Sequence, residues 1–151
     1  MFKLHFTTII IFSLFILSCH NKENISGNQE KAIEEIANAE KDFEKMAKEK
    51  GIMEAFWYFA DSNAVIKRAN DSLIKGKEGI RNYYSDPYFK TASVTWMADF
   101  IDASESSDMG YSYGSYVWQS KDSTGQTKES KGIFHTVWKK QADGNWKYVW
   151  D

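Results

Sequence analysis

The chain has 151 residues, of which 16% are aromatic and 26% charged, and its formal net charge is −2. That balance describes one domain with an aromatic-heavy interior, and the lack of a basic stripe or Lys/Arg block argues against a nucleic-acid binder. A single cysteine, Cys19, excludes a disulfide framework; of three histidines only His135 falls in the folded region, so no metal centre or cofactor is expected.

Taken in chain order, Met1 to His5 carry one lysine, and Phe6 to Leu17 form an almost unbroken apolar run. The run has export-signal length and is too short to span a bilayer comfortably. Ile16-Leu17-Ser18-Cys19 closes it and resembles a bacterial lipobox: a branched apolar residue, a variable position, a small residue and the cysteine. The resemblance implies that residues 1–18 are a lipoprotein signal peptide and that Cys19 is lipidated. It places the mature protein in the envelope of a Gram-negative bacterium, anchored to a membrane and either periplasm-facing or outer-membrane. Residues 19–30 read as the lipidated cysteine and a flexible polar tether, and 31–151 as the folded domain.

The first helix begins near Ser26 to Asn28 and runs to about Lys50, since Ile33, Ile36, Ala37, Phe43 and Ala47 recur at helical spacing and Gly51 supplies a stop. A second, short helix covers Ile52 to Phe59 and is broken by Asp61-Ser62-Asn63. Ala64 to Lys67 and Ser72 to Lys75 read as a hairpin turning at Asn70-Asp71, and Gly76 to Ser85 as a third helix. Asp86-Pro87 marks a loop. Four strands follow: Ala92 to Ala103, Met109 to Lys121, Ser130 to Gln141 and Asn145 to Asp151. Helices that each need a surface for their apolar stripe, followed by antiparallel strands with one apolar face, predict an α+β domain.

Phe59-Ala60-Asp61, Gly76-Lys77-Glu78-Gly79-Ile80, Asp108-Met109-Gly110-Tyr111-Ser112-Tyr113-Gly114, Val137-Trp138-Lys139-Lys140 and Asp143-Gly144-Asn145-Trp146-Lys147 together resemble the NTF2-like superfamily. The C-terminal segments are most similar to its DUF4440 (SnoaL-like) branch, and the resemblance covers roughly residues 32 to 151. It implies a cone: a strongly curved mixed or antiparallel sheet capped by about three N-terminal helices, enclosing a conical pocket. It also implies frequent dimerisation through the sheet's outer face, and no particular chemistry.

A ketosteroid-isomerase-like site needs a carboxylate base shortly after the first strand begins, yet that neighbourhood reads Val65-Ile66-Lys67-Arg68. Strand alternation sends His135 and Asp99 to the outer face, away from any pocket. Phe43, Trp57, Tyr58, Trp96, Tyr111, Tyr113, Phe134 and Trp138 are the expected pocket-lining residues, because a cavity bordered by rings and hydroxyls suits a flat or apolar small molecule. The alternative is that these rings simply fill the cone. Tyr116, Trp118 and Trp150 are assigned to the outer face, either as a self-association band or as scattered exposed rings. The expected role is a lipid-anchored domain binding a small apolar or aromatic molecule without identified catalysis. A SnoaL-like isomerase, dehydratase or hydrolase and a dimeric protein-interaction module stand as alternatives.

Overall fold

The computed structural model describes residues 26–151; the expected signal peptide and Cys19 lie outside the described residues. Ser26 caps α1 (Gly27–Lys50), its side-chain oxygen accepting from the Gln29 N–H at 3.2 Å. The helix thus starts within the expected Ser26 to Asn28 window, and residues 27–30 belong to it although the domain division counts them with the tether. Ala32, Ile36, Glu40, Phe43 and Ala47 form its buried stripe. Gly51, at φ 92°, turns the chain directly into α2 (Ile52–Phe59), a conformation that favours glycine.

No break follows at Asp61-Ser62-Asn63. Strand β1 (Ala60–Arg68) already begins at Ala60, which is buried and pairs with Tyr148. Asn70 and Asp71 reverse the chain into β2 (Ser72–Lys75), both at positive φ, as their turn propensity predicts. Next come α3 (Lys77–Tyr84) and a short 3-10 turn over Pro87–Lys90. Strands β3 (Ser93–Ala103), β4 (Met109–Lys121), β5 (Thr127–Lys140) and β6 (Trp146–Trp150) complete the domain. Strand β5 starts three residues before its expected first residue.

The strands form one open, mixed six-stranded sheet in the order β2-β1-β6-β5-β4-β3, in which β1 and β6 run parallel. Three helices cover one face, so the architecture is the α+β cone expected from the sequence. Phe43 is the hub of the core: its ring lies 4.8 Å from those of Phe56 and Trp96 and 5.7 Å from Tyr148. Each such buried aromatic contributes on the order of 2–3 kcal/mol by area.

Strand β4 shows why α1 can lie so close to the sheet. Its helix-facing positions begin with Gly110, Ser112 and Gly114, all buried. A Cβ on Gly110 would collide with Ile36 Cδ1 and come within 2.6 Å of the Asp102 carbonyl oxygen. One on Gly114 would strike the Met97 carbonyl oxygen and lie 2.8 Å from Ala98 Cα. That second contact sits at a bulge, where the β3–β4 register skips Asp99. The extra residue turns Phe100 to the outer face opposite Tyr113, whereas simple alternation groups it with Trp96 on the inner one.

Candidate functional site

Beyond Gly114 the small residues on β4 give way to Tyr116 and Trp118, and there the helices and sheet part to leave a cleft of about 610 Å³. The volume falls within the range of small-molecule sites. Rings from every layer reach its wall: Phe43 and Phe56 from the first two helices, Tyr84 from α3, Phe89 after it, and Trp96, Tyr116, Trp118 and Trp150 from the sheet. Gly132, paired with Tyr116, supplies the room for this. A Cβ there would stand 2.6 Å from the Tyr116 hydroxyl, so the tyrosine ring lies down over the bare backbone.

The polar part of the cleft is built from three elements. Arg68 ends β1, Asp151 continues β6, and Tyr84 ends α3. The parallel ladder fixes the first pair: the Asp151 N–H donates to the Val65 carbonyl at 3.1 Å, and the Asp151 carbonyl accepts from the Lys67 N–H at 2.8 Å. The Arg68 Nη2 then donates to Asp151 Oδ1 at 2.6 Å, and its Nε donates to the Tyr84 hydroxyl at 2.8 Å. Its Nη1 donates to the carbonyls of Lys67 at 2.7 Å and Asp151 at 3.3 Å. Thr136, buried on β5, donates to Asp151 Oδ2 at 3.3 Å. Burial disfavours the guanidinium charge, but the Asp151 carboxylate more than offsets that and holds Arg68 firmly protonated. Burial also keeps the Tyr84 hydroxyl protonated far above the ordinary tyrosine range.

Behind the cleft lies a second buried polar knot. Glu40 on α1 accepts from Trp96 Nε1 at 2.8 Å, from Trp138 Nε1 at 3.0 Å and from the Ser112 hydroxyl. Burial raises the Glu40 pKa, and the three donors only partly counter it. This carboxylate does not reach the cleft wall. Its geometry ties α1 to β3, β4 and β5, and gives it a structural task.

Of the residues expected to line the pocket, Phe43, Trp96 and Phe134 do so. Trp138 is wholly enclosed between Glu40, Phe43 and Tyr148 and stands away from the cleft. Trp57 faces outward, its indole N–H donating to Glu78 at 3.0 Å and its ring flanked by Lys77 and Arg81. Tyr58 is exposed, with the Lys147 ammonium 3.9 Å from its ring centroid. Tyr111 and Tyr113 lie on the outer face, where Phe100 stacks on Tyr113 at 5.4 Å.

Tyr116, Trp118 and Trp150 show the reverse, lining the cleft where the sequence reading sent them outward. The phase of β4 explains the exchange. A helix pressed against a strand needs small side chains beneath it, so Gly110, Ser112 and Gly114 fix the inner face and force Tyr111 and Tyr113 to the other. The alternation of tyrosine with Gly or Ser was the available signal. The trio of Arg68, Tyr84 and Asp151 is not legible in the sequence, since Arg68 and Asp151, 83 positions apart, meet only through the parallel β1–β6 pairing and Tyr84 reaches them from α3. The His135 ring lies on the outer face, 5.9 Å from that of Tyr111, yet His135 also borders the cleft, where it was not expected. Asp99 is exposed at the bulge. Among the described residues no cluster of His, Cys, Asp or Glu suits a metal ion, and no helix is long and apolar enough to cross a membrane.

Three helices laid over an open mixed sheet, with an aromatic cleft between them, define an NTF2-like cone fold. Solved structures with this fold include an NTF2-like superfamily protein from Salmonella enterica serovar Typhimurium, with a TM-score of 0.65 and 13% identity over 80% of this chain and 88% of that one. A ketosteroid isomerase-like protein from Erwinia carotovora atroseptica superposes with a TM-score of 0.63 and 14% identity over 76% of this chain and 89% of its own. The association domain of C. elegans CaMKII gives 0.62 and 16% identity, covering 83% and 96%. By sequence, no family model and no curated protein matches the chain. At these identities the likeness is one of fold.

Proposed function

We propose that the protein is an envelope lipoprotein of the DUF4440 (SnoaL-like) kind whose cone binds a small apolar or aromatic molecule. The observation that carries the binding role is the cleft itself, walled by rings from three helices and four strands. A core that only needed filling would not leave about 610 Å³ beside Trp96, Trp118 and Trp150. Native mass spectrometry of the purified protein should find a co-purifying compound of small mass, and an added aromatic ligand should quench the fluorescence of the cleft tryptophans. Protein that carries no compound and whose emission no aromatic alters would sink this reading.

The lipid anchor rests on Ile16-Leu17-Ser18-Cys19. Cys19→Ser should abolish acyl labelling and release the protein from membranes, and unchanged labelling would refute it.

A second reading concerns self-association, and the outer face of the sheet favours it. Ile133 is 72% and Met97 67% exposed, and Phe100, Met109, Tyr111 and Tyr113 continue the same apolar surface. An association domain stands among the proteins of like fold. Sedimentation should show a dimer that Ile133→Lys converts to monomer; a monomeric wild-type protein at high concentration would overturn this.

A further inference from the structure

We propose that the cleft selects uncharged, flat aromatic molecules bearing a carbonyl-type oxygen, which Tyr84 and Arg68 hold by hydrogen bonds. This deepens the small-molecule reading and rests on it.

The donors are identified by counting. The Tyr84 hydroxyl accepts from Arg68 Nε, and its own proton has no acceptor among the described residues. Tyr84 is 2% exposed and its side chain belongs to the cleft wall, so that proton is directed to a group that shares the enclosure. Arg68 uses four of its five N–H groups on Tyr84, Lys67 and Asp151, which leaves one Nη2 hydrogen without a partner among the described residues. Two free donors on neighbouring side chains, at the polar end of a cleft whose other end is aromatic, fit one oxygen acceptor.

Charge decides between a neutral acceptor and an anion. The Arg68 guanidinium is already neutralised by Asp151 at 2.6 Å. Lys67, on the rim, is engaged by Asp71 at 2.8 Å. The buried Glu40 carboxyl group, which accepts from Trp96 Nε1, adds no positive charge to the cleft. A carboxylate ligand would lose its hydration and meet the Asp151 carboxylate, with only the exposed, Asp71-paired Lys67 at the rim to compensate. A ketone, quinone, lactone or amide oxygen loses far less on entry. The apolar body of such a ligand then lies among Phe56, Phe89, Trp96 and Trp118.

The test compares three probes of one size, naphthalene, acetonaphthone and naphthoate, titrated into the purified protein with tryptophan fluorescence as readout. The ketone should bind about tenfold more tightly than the hydrocarbon, and more tightly than the carboxylate. In Tyr84→Phe the ketone should fall towards the hydrocarbon's affinity while naphthalene is unchanged. Should that variant fail to fold, the wild-type order of affinities and the infrared carbonyl stretch of bound acetonaphthone decide the matter; the stretch should lie below its position in a hydrocarbon solvent. Equal affinities, tightest binding by naphthoate, an unshifted carbonyl, or a ketone preference that survives in Tyr84→Phe each overturn the proposal while leaving the binding role intact. If none of the three probes binds, the binding role falls with it.

Discussion

Replacing Glu40 by glutamine probes the knot that joins helix to sheet. In the wild-type protein one carboxyl group meets three donors, with Trp138 and Ser112 on Oε1 and Trp96 on Oε2. Glutamine keeps the shape but offers a single acceptor oxygen, so either the Trp96 N–H or the Trp138–Ser112 pair must face the amide NH2. A buried donor left without an acceptor costs about 1–3 kcal/mol, and relief from burying a carboxylate offsets part of that. The net expectation near neutral pH is a loss of about 1–2 kcal/mol. The pH dependence is the sharper test. Because the folded-state pKa of Glu40 is raised above its ordinary value of 4.5, the favourable contribution of this group is complete below that value. It diminishes as pH rises through the folded pKa, by about 1.4 kcal/mol for each unit of upward shift. Urea denaturation followed by circular dichroism from pH 4.5 to 8 should therefore show the glutamine penalty shrinking with rising pH. A penalty that grows over this window would mean that the fold favours the ionised form, and the reasoning would be wrong.

Glu35, five residues earlier on the same helix, should behave in the opposite sense. It accepts from Lys140 at 2.6 Å and Trp146 at 2.9 Å, and these donors lower its pKa. The cost of Glu35→Gln should be present above pH 4.5 and vanish on acidification, in the same denaturation assay. Gly114→Ala forces a methyl group into the β3 bulge and should cost about 1–3 kcal/mol, read as a lowered thermal midpoint; an unchanged midpoint would show that the bulge relaxes freely. Arg68→Met strands the Asp151 carboxylate, whose side chain is 13% exposed, and should cost about 2–3 kcal/mol after allowance for residual solvation. Adding Asp151→Asn should restore part of that loss, and a double variant no more stable than the single one would show that the orphaned charge is not the cause.

Helices and strands were readable wherever side-chain period alone decides. Ile36, Phe43 and Ala47 of the expected stripe are buried, joined by Ala32 and Glu40 in place of Ile33 and Ala37, the Asn70-Asp71 turn forms, and the ends of the four long strands shift by at most three residues. What period alone could not decide was which face of β4 meets the helix. Tyrosine content suggested Tyr111 and Tyr113, while a Cβ at Gly110 would strike Ile36 of α1, one at Gly114 would strike the β3 backbone, and Ser112 between them bonds to Glu40 of α1. The bulge at Asp99 shifted the phase again, and it is defined by the pairing of Ala98 and Phe100 with Gly114 and Tyr113 on the neighbouring strand, which period along β3 alone does not reveal. The polar trio in the cleft was out of reach for a different reason: Arg68 and Asp151 become neighbours only through a parallel pairing across 83 positions of sequence. The bulky residues in these stretches report how much surface is buried, but the small ones report where two layers touch.

The alternation along β4 acts in effect as a ruler for the hollow. Helix α1 lies over β4 where Gly110 and Ser112 leave little side chain beneath it, and the cleft opens where Tyr116 and Trp118 take over. Shortening Tyr116 would slide the near boundary of the cleft along the strand without touching its polar end, whereas a side chain at Gly114 would strike the β3 backbone. Related domains could thus resize their chambers through one strand's choice of large and small residues, and keep the rest of the scaffold fixed.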